Sequence, residues 1–362
     1  MKRMFVMALL VVELLCLLWG CKSRMPLNQC GGSPAPEEMS SQNVSQSGSD
    51  GGEEKPSAAV CMGVVSHPVH RLVQLGFLEA ADELGYEGHI LGLAESGMQE
   101  LLDCWLQGAR EYDIAGAVCW VGDDSAYEFL KELHGMGVKT VVPHFPFSYE
   151  DAKEFVDVNV HADKSAMVEH AAEFICLKLR ENNINSGVIG VSAGMHDDTD
   201  LLFKQYIMSH YPEYTVAETI MLGAEKLEAR KKATENLQKY PDMVAVFGTT
   251  DNSAPAWVAA KKATGRSDLI VVGFGQWTSL QLLADGDIDA FMTQPWYEDG
   301  YTGLTLLDTL LCGEIYNTSE ELWRKPILQN ALVYQGGTGT ANPEYYNDQF
   351  CRAKARFVFS GS

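Results

Sequence analysis

Positive charge is scarce in this chain. Among 362 residues, 27 lysines and arginines stand against 49 aspartates and glutamates, a net charge of −22 at pH 7. A nucleic-acid groove needs a basic stripe, so this deficit argues against a DNA- or RNA-binding role. Several signatures of chemistry are also missing: there is no HExxH helix, Walker A loop or Rossmann glycine fingerprint. The nine cysteines show no CxxC spacing, so neither a zinc site nor a redox pair is indicated. A hydrophobic fraction of 46% suffices for a packed core but is not that of a multispanning membrane protein. The length suggests two domains or one large one.

The first 20 residues are laid out as a secretory signal peptide. Lys2 and Arg3 precede an apolar run broken only by Glu13. Leu18-Trp19-Gly20-Cys21 resembles a bacterial lipobox, with Trp19 bulkier than the usual residue. The resemblance implies that the Cys21 thiolate takes a diacylglyceryl group and that Cys21 becomes the mature N-terminus. The alternatives are an uncleaved anchor or an ordinary signal with an incidental cysteine. Residues 21–57 are rich in Ser, Gly, Pro, Gln and Glu and poor in aliphatics. Such a stretch cannot bury enough surface to fold, and it reads as a disordered tether. Cys61 and Cys119 fall in strand-like runs and Cys176 in a helical one, which suits small core residues.

Beyond residue 57 the pattern alternates. Short aliphatic runs at 59–65, 88–93, 114–121, 138–142, 155–159, 187–191, 215–222, 244–247, 268–274 and 288–294 read as buried strands. Between them lie helix-like stretches, including 71–84 closed by Gly85, and 164–181, where apolar residues recur near helical spacing. Residues 301–311 read as a helix and 328–334 as a further strand. Strand–helix alternation means parallel α/β sheets, and open α/β sheets bind ligands at the C-terminal ends of their strands. The Gln335-Gly-Gly-Thr-Gly-Thr340 run has too little chain after it for a phosphate-binding unit and reads as a tail turn.

The order AVFGTTDNSA (245–254), DLIVVGFGQW (268–277), LLADGDIDAFMTQ (282–294) and LLCGE (310–314) resembles the C-terminal lobe of periplasmic sugar-binding proteins of the ribose/galactose-binding type. The resemblance runs from about residue 58 onward. It implies a type I periplasmic-binding-protein fold: two Rossmann-like parallel-sheet lobes joined by a three-strand hinge. The lobes expected are 58–162 with 295–326, and 163–294 with 327–362. It also implies a ligand held between the lobes, an ABC permease or a membrane sensor as partner, no cofactor and no enzymatic activity. Transcription regulators share this fold but begin with a DNA-binding helix pair, whereas this chain begins with an export signal. The expected location is the periplasm or the outer face of the cell membrane, lipid-anchored.

Carried over residue by residue, the resemblance gives a ligand set that departs from the family. His67-Pro68-Val69-His70 stands where the family has Asn-Pro-aromatic; His70 offers a flat ring, or else His67 caps the helix and His70 faces solvent. Trp120 ends a strand and lines the cleft or packs in the core. His144 and Phe145 replace an Asp-Arg-like pair, and Asp163 matches a hinge-side acid. Asp197 falls near the family's arginine, while Asp198 reads as a helix cap. Thr250 replaces Asn, Asp251 matches an Asp and reads as a cap, and Gly275 replaces the family's hydroxyl-gripping Asp. Gln276 and Trp277 are placed to compensate. Gln294 matches the family's Gln, and Trp296 adds an aromatic face. The ligand expected is a sugar or sugar-like compound, with a modified sugar, a polyol and an aminated metabolite all open. An exported sensor for a kinase or chemoreceptor is the alternative role.

Overall fold

The parallel strands form because their runs are apolar on both faces. In β1 (Ser57–Val64), Ala58 through Met62 are fully buried. β1 pairs in parallel with β2 (Glu87–Leu93) and β3 (Gly116–Trp120); β4 (Lys139–His144) and β5 (Val158–His161) extend the sheet in the order β2-β1-β3-β4-β5. Every strand is followed by a helix, as parallel pairing requires. The helices are α1 (Pro68–Leu84), α2 (Met98–Glu111), α3 (Tyr127–Gly135), the short α4 (Tyr149–Ala152) and α5 (Lys164–Glu181). The computed structural model describes residues 55–93, 98–122, 126–161, 163–193, 198–223, 225–275, 277–324, 328 and 330–357. The expected signal peptide, Cys21, the tether up to residue 54, Asp197 and Gln276 lie outside these.

The second sheet runs β12-β11-β10-β9-β6-β7, with β8 also pairing β6. Its members are β6 (Gly187–Ala193), β7 (Tyr214–Val216), β8 (Ile220–Met221), β9 (Met243–Gly248), β10 (Ile270–Phe274), β11 (Ala290–Thr293) and β12 (Ala331–Tyr334). Only the β11–β12 pair is antiparallel among the pairings described. The helices are α6 (Thr199–His210), α7 (Lys226–Lys239), α8 (Ser253–Thr264) and α9 (Trp277–Ala284). From β11 the chain returns to the first lobe as α10 (Trp296–Leu311), which lies across α1, β3 and β4, and α11 (Glu320–Trp323), which packs beside β5. It crosses again into β12 and ends in α12 (Pro343–Arg356).

The fold is that expected from the sequence: two α/β layers joined by three crossings. Two crossings lie side by side, with Leu328 N donating to His161 O at 3.2 Å and Asn330 Nδ2 to Asp163 O at 3.3 Å. One continuous apolar cluster runs along a face of both sheets, from Val60 and Phe77 through Trp296 and Leu304 to Trp257 and Phe291. Separate clusters fill the opposite faces, around Trp105 and Phe129 in one lobe and Phe203 and Phe247 in the other. Cys61 and Cys119 are buried register partners with free thiols.

Several local expectations shift. The fifth strand starts at Val158 rather than 155, because the Asp157 carboxylate takes Thr140 N at 2.9 Å and Lys139 Nζ at 3.0 Å and turns the chain first. The 215–222 run is broken: Ala217 N pairs with Ile189 O and Leu222 N with Ala193 O, leaving β7 and β8 as two short strands. α10 begins at Trp296, earlier than the expected 301. Asp198 precedes α6 in a left-handed conformation (φ 62°), and its side chain makes no cap bond. At α8 the cap position falls on Asn252, not Asp251.

Candidate functional site

The C-terminal strand ends of both sheets meet at a cavity of about 230 Å³ beside the hinge. The first lobe contributes His144, at the end of β4, and Pro146. The second contributes Thr199, Thr249, Phe274 and Gln294, at the ends of β9, β10 and β11 or the start of α6. His161, Asp163, Lys164 and Asn330 come from the crossings. This is where open α/β sheets bind ligands.

The polar groups here are unevenly satisfied. Asp163 Oδ1 caps α5 by accepting from Ser165 N (2.8 Å) and Ala166 N (3.3 Å), a favourable place for a carboxylate. Asn330 is 6% exposed, and with Nδ2 committed to Asp163 its Oδ1 has no partner. His161 Nδ1 also lacks one; burial, then the Arg324 charge, pushes the His161 pKa down against the pull of Asp163. A buried polar atom without a partner is costly, so these atoms are suited to a ligand or a bridging water.

Beside the cavity the first lobe forms a wall of rings. His67 caps α1, its Nδ1 accepting from Val69 N at 3.3 Å, and its ring lies 5.2 Å from that of His70. His70 meets Trp120 edge-on at 4.7 Å; Trp120 meets Phe145 at 4.9 Å and His144 at 5.2 Å. Half-buried His70 contacts Val64 O through Nδ1 at 2.5 Å, and burial brings its pKa down to about 4. Beneath the wall lies Asp299 of α10, only 1% exposed. Its Oδ2 accepts from Trp120 Nε1 at 3.2 Å and contacts His144 Nδ1 at 2.8 Å, while its Oδ1 has no partner.

On the second lobe, Gly275 adopts φ +94°, and a Cβ there would fall 1.9 Å from Asp251 Oδ1. The Asp251 carboxylate therefore occupies the space over Gly275. It keeps solvent access yet lies among crowded atoms; that crowding raises its pKa, and His67 on the facing lobe pulls the other way. Thr250 is turned to Ser253, Oγ1 to Oγ at 3.0 Å. Its neighbour Thr249, 7% exposed, lines the cavity instead.

Of the residues singled out from sequence, His144, Asp163 and Gln294 line the cavity, and His67, His70, Trp120 and Phe145 form the adjoining wall. Trp277 is engaged elsewhere: its ring packs 5.0 Å from Phe350, with Lys354 Nζ 4.1 Å above it. Trp296 is 5% exposed and belongs to the continuous core. Sequence reasoning passed over Asp299, His161, Lys164, Asn330 and Thr249. Thr249 and His161 carried a usable signal, being polar residues at or just after a strand end; Asp299 carried none, because an acid inside a helix ordinarily faces water.

Residues 58–315 match the family model described as periplasmic binding protein domain, and the chain belongs to that family. Among curated relatives, it is 22% identical to the ribose import binding protein of Escherichia coli (strain K12) over 264 residues, 72% of this chain and 86% of that protein. Among solved structures, an arabinose-binding protein from Geobacillus stearothermophilus superposes with TM-score 0.68 at 17% identity, covering 81% of this chain and 99% of that one. A further neighbour is a chain of the XylFII–LytSN complex, with TM-score 0.58 at 17% identity over 79% of this chain and 100% of that one.

Proposed function

We propose that the protein is an extracytoplasmic solute-binding lipoprotein, anchored through Cys21, that closes two lobes on a sugar or sugar-like molecule and delivers it to an ABC-type importer. The observation that carries the reading is the two-lobed cavity with unpartnered Asn330 Oδ1 and His161 Nδ1, beside a wall of rings. Hydroxyls, which both donate and accept, match such atoms, and the apolar faces of a pyranose or furanose match rings. Closure drives water from both, and the ligand favours the closed state because only that state touches it from two sides. Nothing in this arrangement requires a bond to be made or broken; its job is grip.

Ligand identity departs from the simplest family pattern. Asp251 takes the space above Gly275, and His144 with Phe145 stands where a carboxylate–guanidinium pair is expected. A modified sugar or polyol therefore fits as well as a plain aldose. The test is mass spectrometry of small molecules released from the purified full chain, with thermal shifts across aldoses, polyols, amino sugars and sugar acids. A stabilising ligand supports the reading; an empty protein that responds to none overturns it. A sensor role is the second reading, favoured by the likeness to a fold that occurs in the XylFII–LytSN complex. Co-purification from native membranes with a histidine kinase rather than a permease selects it.

A further inference from the structure

We infer that Asp299 is a positioning residue for the ligand site: it holds His144 in the tautomer that carries its proton on Nδ1, leaving Nε2 as a hydrogen-bond acceptor for a ligand hydroxyl. The inference rests on the solute-binding reading, since His144 lines the cavity between the lobes. Its geometric half stands apart from that reading.

The donor assignments follow from chemistry. An indole nitrogen can only donate, so Asp299 Oδ2 must accept from Trp120 Nε1 at 3.2 Å. The same oxygen lies 2.8 Å from His144 Nδ1, and an oxygen already accepting as a carboxylate takes Nδ1–H as its second donor. In a neutral imidazole one nitrogen donates and the other accepts, so Nε2 is then bare. The backbone supports the pose. His144 has φ +76°, a conformation uncommon for a side-chain-bearing residue, and α10 lies across the ends of β3 and β4, bringing Asp299 under both rings. A carboxylate that is 1% exposed with one oxygen unpartnered is expensive to keep. A purely structural link between Trp120 and α10 could be made with a neutral amide or hydroxyl.

At the cavity the consequence is a pair of acceptors, His144 Nε2 and Asn330 Oδ1. His144 and His161 are register partners on β4 and β5, and Asn330 Oδ1 is an acceptor among the neighbouring lining atoms. The ligand edge facing His144 and Asn330 therefore carries hydroxyl donors, while Lys164 lines the cavity from the crossing.

The test is long-range 1H–15N spectroscopy of the histidine rings in the full chain, with the His144 signal assigned by its loss in H144Q. The expected result for the neutral ring is a protonated Nδ1 and a bare Nε2. D299N, which keeps one carbonyl oxygen for the two donors, retains that pattern; D299A releases it to a mixture of tautomers. For any sugar that stabilises the wild-type protein, D299A weakens binding about tenfold, the loss of one well-placed hydrogen bond, and D299N recovers most of it. A wild-type His144 protonated on Nε2, or a D299A protein with unchanged tautomer and affinity, overturns the inference. Should D299A fail to fold, the wild-type and D299N spectra still decide. Should no sugar bind, the solute-binding reading suffers while the tautomer result stands.

Discussion

At Gly275 the carboxylate of Asp251 fills the space that a side chain would take. A residue with a Cβ at 275 is strained twice, by φ +94° and by the Asp251 carboxylate 1.9 Å from where that Cβ would sit. G275D alone is expected to cost about 2–3 kcal/mol in urea unfolding, from backbone strain and two crowded carboxylates. Adding D251A to G275D removes the clash and should recover at least half of that loss. If the double variant is no more stable than G275D, the Asp251 carboxylate is not what a side chain at 275 meets. His70 gives a prediction in pH. Burial places its folded pKa near 4, below the ordinary 6.5, so between these values the unfolded chain binds the extra proton. Its contribution is fully present above pH 6.5 and is lost as pH falls toward 4, with a slope of at most about 1.4 kcal/mol per pH unit. H70N should flatten the melting temperature against pH in that window; an unchanged slope removes His70 as the cause.

Helix elements meet here at backbone distance. A Cβ on Gly76 of α1 would lie 2.0 Å from Tyr297 O, and one on Gly300 of α10 would lie 2.0 Å from Val73 O. Backbone atoms cannot turn aside as side chains do, so α1 and α10 must part for either substitution. G300A is expected to cost about 3 kcal/mol, the upper end of overpacking, because α10 also holds Asp299 beneath the ring wall. Chemical denaturation checks the magnitude; a loss under 1 kcal/mol means that the two helices are free to shift. The glycines themselves announce none of this in sequence, since both sit inside helical runs. Elsewhere the elements were readable where one signal dominated. α5 spans Lys164–Glu181 as its apolar spacing indicates, and the strand ends of β9, β10 and β11 lie near their polar terminators. α12 was passed over although Asn342 caps it through Glu344 N, Pro343 opens it and Tyr346, Phe350 and Ala353 recur at helical spacing, because that narrow stripe is set among charged and polar residues. Of the site, the ring wall and Gln294 were legible from strand ends. The Asp299 link was not, because it joins residues 155 and 179 positions apart.

At the scale of the molecule, α12 spans the two lobes. On the first-lobe side Arg352 pairs with Glu79 of α1, Arg356 lies 3.4 Å from Asp82, and Tyr345 Oη donates to Glu298 of α10 at 2.5 Å. On the second-lobe side Phe350 and Lys354 hold the ring of Trp277 on α9. Any opening of the cleft therefore either peels α12 from one lobe or drags α9 with it. The half-buried Arg352 also pairs with Asp348 and lies over the Tyr297 ring, and this small network contributes on the order of 1 kcal/mol, so R352A alone should leave the lobes in place. Buried Tyr346, Phe350 and Ala353 contribute several kcal/mol through apolar contact, so removal of residues 343–362 should be felt throughout. The truncated protein is expected to show a red-shifted Trp277 emission, read by difference against W277F, and a larger radius of gyration by small-angle X-ray scattering. The full chain should show neither change with R352A. A truncated protein that keeps both the emission and the dimensions of the full chain would mean that the hinge crossings alone set the angle between the lobes and that α12 merely rides on the first.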